Sequence, residues 1–142
     1  MKSISRFVAL GIATFLCLTV PALAQDRKAE INALIDKAIA EHTIFLNCTA
    51  TERDSYQLIS RNWQTDVLAA VPALADAGFT GDEIAAFTQR TSLDAILMKD
   101  RPFNEVIEFC RTSGQWMRQM YELRYVILPL AIKRVIDGAP GG

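Results

Sequence analysis

The sequence predicts an all-α fold, a compact bundle of four or five helices. Apolar residues recur at steps of three and four along most of the chain, whereas no segment alternates as a strand does. Two cysteines, Cys48 and Cys110, lie in different predicted helices and can staple them together. The chain has 142 residues and a formal net charge of −1 at pH 7, which suits one ordinary domain.

A cleavable export signal is predicted for residues 1 to 24. Lys2 and Arg6 precede an apolar run that is too short to span a bilayer comfortably, and an A-x-A pattern ends at Ala24. Cys17 offers a lipid anchor as the alternative, but bulky residues precede it where such anchors follow small ones. The sequence therefore predicts a periplasmic or secreted protein.

The predicted mature protein is one helical domain, residues 25 to 137, with a flexible tail, residues 138 to 142, and no membrane span. It loses two basic residues with the signal, so nucleic acid and anionic membranes are poor partners for it. In an oxidising compartment Cys48 pairs with Cys110, the alternatives being two free thiols or an intermolecular bridge. A bridge across 62 positions is worth roughly 4 kcal/mol in the chain-entropy model.

The first helix is predicted from Arg27 to about Leu46. The next helix starts close to Cys48, because Thr49 and Glu52 form a capping-box pattern, with Thr51 and Asp54 as a second possible register. The first helix buries one stripe, which consists of Ile31, Ile35, Ala38, His42 and Phe45, flanked by Leu34, Ile39 and Leu46.

The second helix carries a similar stripe, with Pro72 expected to kink or end it and Gly78 expected to stop it. Its predicted buried positions are Tyr56, Ile59, Trp63, Val67, Val71 and Leu74, widened by Leu58 and Leu68. A third helix follows a capping box formed by Thr80 and Glu83 and buries Ile84 and Phe87. Residues 93 to 98 can form a short helical turn.

A final long helix is predicted from a cap at Asn104, with an interruption near Gly114 and a kink at Pro129. The part from residue 125 to residue 132 is apolar on nearly every side, which is typical of a central helix. The buried positions expected along it are Val106 or Ile107, then Cys110, Met117, Tyr121, Leu128 and Ile132.

The sequence offers little catalytic chemistry, so it predicts a protein that is not an enzyme and needs no cofactor. His42 is the single histidine, and no hydrolase, metalloprotease, phosphate-binding or dinucleotide-binding motif occurs. His42 is expected to be a hydrogen-bonded residue of the bundle, with a pH sensor or a metal ligand as alternatives. Glu105 and Glu108, three residues apart, are expected to form a solvated helix face.

Four side chains could form a soft site for copper(I) in an exported protein. Met117 and Met120 lie three apart, and Met98 and His42 can complete the set. The same spacing occurs when methionines fill a helical core, which is the favoured interpretation.

A second candidate surface combines aromatic and arginine side chains, which dominate protein interfaces. The residues are Trp116, Arg118, Tyr121, Arg124 and Tyr125. The favoured alternative is that Trp116 and Tyr121 belong to the core and the arginines lie along them. The main functional hypothesis is a binding protein for another protein. The alternatives are a carrier of copper(I) or a small apolar ligand, and an acid-stress periplasmic chaperone.

Overall fold

A computed structural model describes the backbone of residues 19 to 138 and the side chains of residues 23 to 138. This stretch is all helical, as predicted, and contains no strand. None of its helices is both long and apolar enough to cross a membrane. The helices are α1 (Thr19–Cys48), α2 (Arg53–Asp76), α3 (Gly81–Arg90), α4 (Leu93–Ile96), α5 (Phe103–Thr112), α6 (Trp116–Tyr121) and α7 (Leu128–Ile136).

Of the export signal predicted for residues 1 to 24, residues 1 to 18 lie outside the described residues. Its last part is helical, because α1 continues without a break from Thr19 to Cys48. The tail predicted for residues 138 to 142 lies outside the described residues after Gly138. The hydrophobic core begins at Ile31, beyond the predicted cleavage point.

The core forms where α7 packs against both α1 and α2. The stripe predicted on α1 is buried in full, with Ile31, Ile35 and Ala38 inaccessible to solvent. On α2, however, Leu58 and Leu68 are 58% and 71% exposed, so the predicted widening of the buried face is wrong. Leu58 and Leu68 each lie five residues from the buried Trp63. Five residues correspond to a rotation of about 140° around the helix axis, so both leucines point away from the side that Trp63 buries.

Only one of the predicted capping boxes forms. The Glu83 amide donates to the Thr80 hydroxyl at 3.3 Å, and the Thr80 amide donates to the Glu83 carboxylate at 2.6 Å. Thr49 instead donates its hydroxyl to the Phe45 carbonyl at 2.7 Å, the same carbonyl that accepts from its backbone amide at 3.0 Å, so the side chain is turned back onto α1. The residue before α2 is Glu52, which makes no side-chain cap.

The predicted last helix is divided into α5, α6 and α7. Gly114, with φ +76°, makes the first break close to the predicted interruption, and Leu123, with φ +53°, lies in a second break that was not predicted. Pro129 does not kink a helix. It lies in the first turn of α7, where its missing N–H removes no helical hydrogen bond. Asn104 lies inside α5, because the helix starts after Pro102.

The disulfide joins Cys48, the last residue of α1, to Cys110 in α5, with Cα atoms 5.5 Å apart. The predicted pairing is therefore present, and it attaches α5 to the end of α1. We call α1, α2, α3, α4 and α7 the core bundle, and we call residues 103 to 123 the arm.

Candidate functional site

The arm exposes large apolar side chains that the core bundle does not cover. Neither α5 nor α6 contains a buried residue. Tyr121 is 73% exposed, so the prediction that it belongs to the core is wrong, and Met117 is 57% exposed where burial was also predicted. The other exposed apolar side chains of the arm are Phe103, Ile107 and Leu123.

The charged side chains of the arm are paired, either within the arm or with an arginine just outside it. Arg111 binds Glu108 through two nitrogens, at 2.9 Å and 2.7 Å. Arg118 and Arg124 both pair with Glu122, at 2.8 Å and 2.9 Å. The arm therefore presents exposed apolar side chains between ion pairs, and its surface is neither strongly positive nor strongly negative.

An apolar groove of about 370 Å³ lies beside the disulfide. We call it the disulfide groove. Phe103, Ile107 and Leu97 line it together with Met98 and the two cysteines. Its cations are already paired, since Lys99 contacts Asp94 and Arg101 lies 3.5 Å from Glu105. The groove continues the exposed apolar surface of the arm toward the core bundle.

Asn47 fixes one wall of the disulfide groove. Its side-chain amide donates to the carbonyls of Thr43, at 2.7 Å, and Ile96, at 3.0 Å. Its side-chain oxygen accepts from the amide of Met98 at 2.8 Å. One buried side chain therefore holds the end of α1 against the segment after α4, from which Met98 enters the groove.

His42 lies in a buried aromatic cluster, not at the surface. Its ring stacks on Trp63 with centroids 4.3 Å apart, and the edges of Phe45 and Tyr125 approach it. The His42 Nδ1 donates to the Ala38 carbonyl at 2.9 Å. Burial lowers the pKa of His42 to about 4, an effect that the hydrogen bond to Ala38 only partly offsets, so the ring is neutral at pH 7.

The four side chains considered for copper(I) lie on different parts of the fold. His42 is enclosed by aromatic rings on α1, Met98 lines the disulfide groove, and Met117 and Met120 are on α6. Within residues 19 to 138 no group of three or more His, Cys, Asp or Glu side chains is suited to hold a metal ion.

The residues considered for protein binding divide into two sets. Arg118, Tyr121 and Arg124 are exposed, whereas Trp116 is half-buried. Tyr125 is half-buried too, and its ring packs on Phe45 at 5.5 Å in the aromatic cluster. Sequence reasoning missed Phe103, because it placed the helix start at Asn104, and it missed Leu123, because it expected one helix from the interruption near Gly114 to Ile132.

Glu105 and Glu108 lie on the exposed side of α5, as predicted. Each forms an ion pair with an arginine, Arg101 in one case and Arg111 in the other.

Comparison of the chain with protein-family models, with curated proteins and with solved structures yields no match.

Proposed function

We propose that this chain is an exported, non-enzymatic protein that binds another protein of the cell envelope or extracellular space through its arm. One observation carries the proposal: the arm exposes five large apolar side chains, and neither of its helices contributes a residue to the core. Monomeric proteins rarely expose large contiguous apolar surfaces without using them for binding.

Apolar burial supplies the main driving force in this proposal. Tyrosine, methionine and phenylalanine bury much area on binding, and Tyr121 also keeps a hydroxyl for a polar contact. Arg111, Arg118 and the adjacent Arg124 already bind glutamates of the arm, so long-range attraction contributes little. We therefore expect an affinity that changes little with salt concentration.

The disulfide supports the proposal in two ways. It holds α5 at the end of α1, so the arm loses less conformational freedom when a partner binds. A disulfide also fits an oxidising compartment, in agreement with the signal predicted for residues 1 to 24. The intact mass of the protein recovered from cell envelopes tests that prediction, because cleavage after Ala24 leaves a chain that begins at Gln25.

Affinity capture from native envelope extract tests the binding role. Three baits are compared: the wild-type chain, Met117→Ser/Tyr121→Ser, and Leu58→Ser/Leu68→Ser as the matched control. The control residues lie on α2 and are as exposed as the arm residues, at 58% and 71% against 57% and 73%. Both double variants should fold normally, because exposed positions contribute little to stability.

We expect one stoichiometric partner on the wild-type and control baits and its loss from the arm variant. Mass spectrometry identifies the partner, and titration of the purified pair gives the affinity. A partner retained equally by all three baits, or lost equally from both double variants, would refute binding through the arm.

A second candidate function is an acid-stress chaperone, and it is favoured by His42. Between about pH 6.5 and pH 4 the unfolded chain takes up a proton that His42, buried in the aromatic cluster, does not, so the core bundle loses stability and would uncover further apolar helix faces. Binding of a hydrophobic dye and suppression of client aggregation at pH 3 and pH 7 test this role. Absence of any dye response at pH 3 would eliminate it.

A further inference from the structure

A second groove, which we call the α1/α7 groove, lies between these two helices and has a volume of about 340 Å³. Leu34 of α1 forms one apolar side of it. Leu130, Ala131 and Val135 of α7 form the other, together with Ile127, which precedes the helix. These α7 positions recur at steps of three and four residues, so they share one helix face. These apolar side chains share the lining with charged ones.

Positive charge collects around this groove although the whole chain is slightly negative. Three of the described lining residues are cations, Lys37, Arg124 and Arg134, against one carboxylate, Glu30. Lys37 and Arg134 form no ion pair within residues 19 to 138. Arg124 contacts Glu122 through its Nε at 2.9 Å, but it shares that carboxylate with Arg118, so one negative charge faces two guanidinium groups.

The cations are distributed unevenly along the groove. The amide of Val126 donates to the Glu41 carboxylate at 2.7 Å, which fixes the start of α7 beside the later half of α1. From there α7 runs back along α1, because the groove pairs its later residues with Leu34 and Glu30. Lys37 therefore lies toward the end at which Arg124 is found, and Glu30 lies toward the other end.

We propose that the α1/α7 groove binds one free medium-chain fatty acid. The alkyl chain lies on Leu34, Leu130 and the neighbouring apolar residues, and the carboxylate is bound by Lys37 and Arg124. A volume of 340 Å³ holds roughly eleven water-sized groups, which matches the heavy atoms of octanoate or decanoate.

The charge of the headgroup distinguishes this ligand from other apolar molecules. A neutral alcohol of the same length leaves both cations unused, and a quaternary ammonium of the same length is repelled by them. Binding of a carboxylate at this end forms charge-assisted hydrogen bonds, and Arg124 can bind both carboxylate oxygens.

Titration of the oxidised protein with decanoate, followed by amide NMR shifts, tests the proposal below the micelle concentration of the ligand. We expect a single site with shifts along α1 and α7. Lys37→Gln/Arg124→Gln should weaken binding roughly tenfold or more, since it removes both headgroup contacts. Leu130→Asn should weaken it through the tail, and this leucine is exposed enough for the variant to fold.

Lys133→Gln is the matched control, because Lys133 is an exposed cation of α7 that pairs with Asp137 and does not line the groove. This variant should bind decanoate as the wild type does. The trimethylammonium analogue of decanoate should not bind, and vesicles of phosphatidylglycerol should not retain the protein.

Three results would overturn the proposal: equal affinity of wild type and Lys37→Gln/Arg124→Gln for decanoate, equal affinity for the cationic analogue, or no binding of decanoate. Retention on the vesicles without shifts from decanoate would assign the cations to a membrane surface instead. The baits that test partner binding alter α2 and α6 but no residue of this groove, so failure of either proposal is recognised separately.

Discussion

The core bundle and the arm are built from similar helical sequences but are stabilised in different ways. In the core bundle, apolar stripes of α1, α2 and α7 face one another and exclude water from residues such as Ile35, Trp63 and Ile132. In the arm, ion pairs, half-buried contacts and the bond from Cys110 to Cys48 replace a core. Helical periodicity therefore marks where apolar residues lie, but a partner surface decides whether they become buried.

The largest difference is expected between matched aromatic truncations in the two regions. Trp63→Ala removes a fully buried ring, its stacking on His42 and its 2.8 Å hydrogen bond to the Thr91 carbonyl. It should lower the free energy of unfolding by about 4 kcal/mol. Phe103→Ala, at a side chain 67% exposed, should change it by no more than about 0.5 kcal/mol.

Urea unfolding of both variants at pH 7 measures the two values. If the two truncations cost the same, Phe103 is covered by the protein itself, and the distinction between the arm and the core bundle fails.

Removal of the disulfide should have the next largest effect. Cys48→Ser/Cys110→Ser is expected to cost about 3 kcal/mol, because the bridge constrains a long loop in the unfolded chain and measured losses commonly fall below the chain-entropy value. Amide hydrogen exchange should show which region opens. Protection should fall first in α5 and α6, whose residues lack a buried face, while α1, α2 and α7 remain protected. Equal loss of protection in all five helices would mean that arm and core bundle unfold as one unit.

Acid should destabilise the core bundle through His42. Between pH 6.5 and pH 4 the unfolded chain binds a proton at this residue that the folded chain does not bind, so stability falls as the pH falls. The difference in pKa corresponds to roughly 3 kcal/mol once the pH is below both values. His42→Phe keeps a ring against Trp63 without a titrating group, and its stability should lack this loss.

Asp66 provides the control of opposite sign. Burial raises the pKa of this carboxyl, so the folded chain takes up a proton more readily there, and that uptake opposes the loss due to His42. Asp66→Asn should therefore steepen the fall of stability in acid, whereas His42→Phe should flatten it. Urea unfolding from pH 7 to pH 4 measures both slopes, and parallel slopes in all three proteins would contradict the assignment.

The core bundle was predictable from sequence to a useful depth, and the arm was not. The α1 stripe follows from the helical spacing of apolar residues, and the disulfide follows from the oxidising compartment that the predicted signal implies. The arm depends on two breaks, and only the one at Gly114 has a residue type that favours a positive φ. Leu123 adopts the same region without any local signal, so every face assigned between Gly114 and Leu128 from one continuous helix was unreliable.

In the aromatic cluster, the burial of His42 could be predicted from the sequence, but the side chains around its ring could not. His42 was correctly placed on the buried stripe of α1, but its partners come from α2 and from the segment before α7. Only the tertiary packing brings Trp63 and Tyr125 to that ring, so the lowered pKa of His42 could not be predicted from the sequence.

The smallest expected effect is a difference in stability between alanine variants at the starts of α3 and α5, which look alike in sequence. Thr80→Ala removes the hydrogen bond from the Glu83 amide to the Thr80 hydroxyl and keeps the backbone amide that donates to the Glu83 carboxylate, and it should cost about 1 kcal/mol. Asn104→Ala should cost nothing measurable, because Asn104 lies inside the first turn of α5 behind Pro102, where alanine is the better helix former. Thermal unfolding resolves the two outcomes. A cost of about 1 kcal/mol for Asn104→Ala as well would place the start of α5 at Asn104, shorten the arm, and release Phe103 from the helix that now presents it.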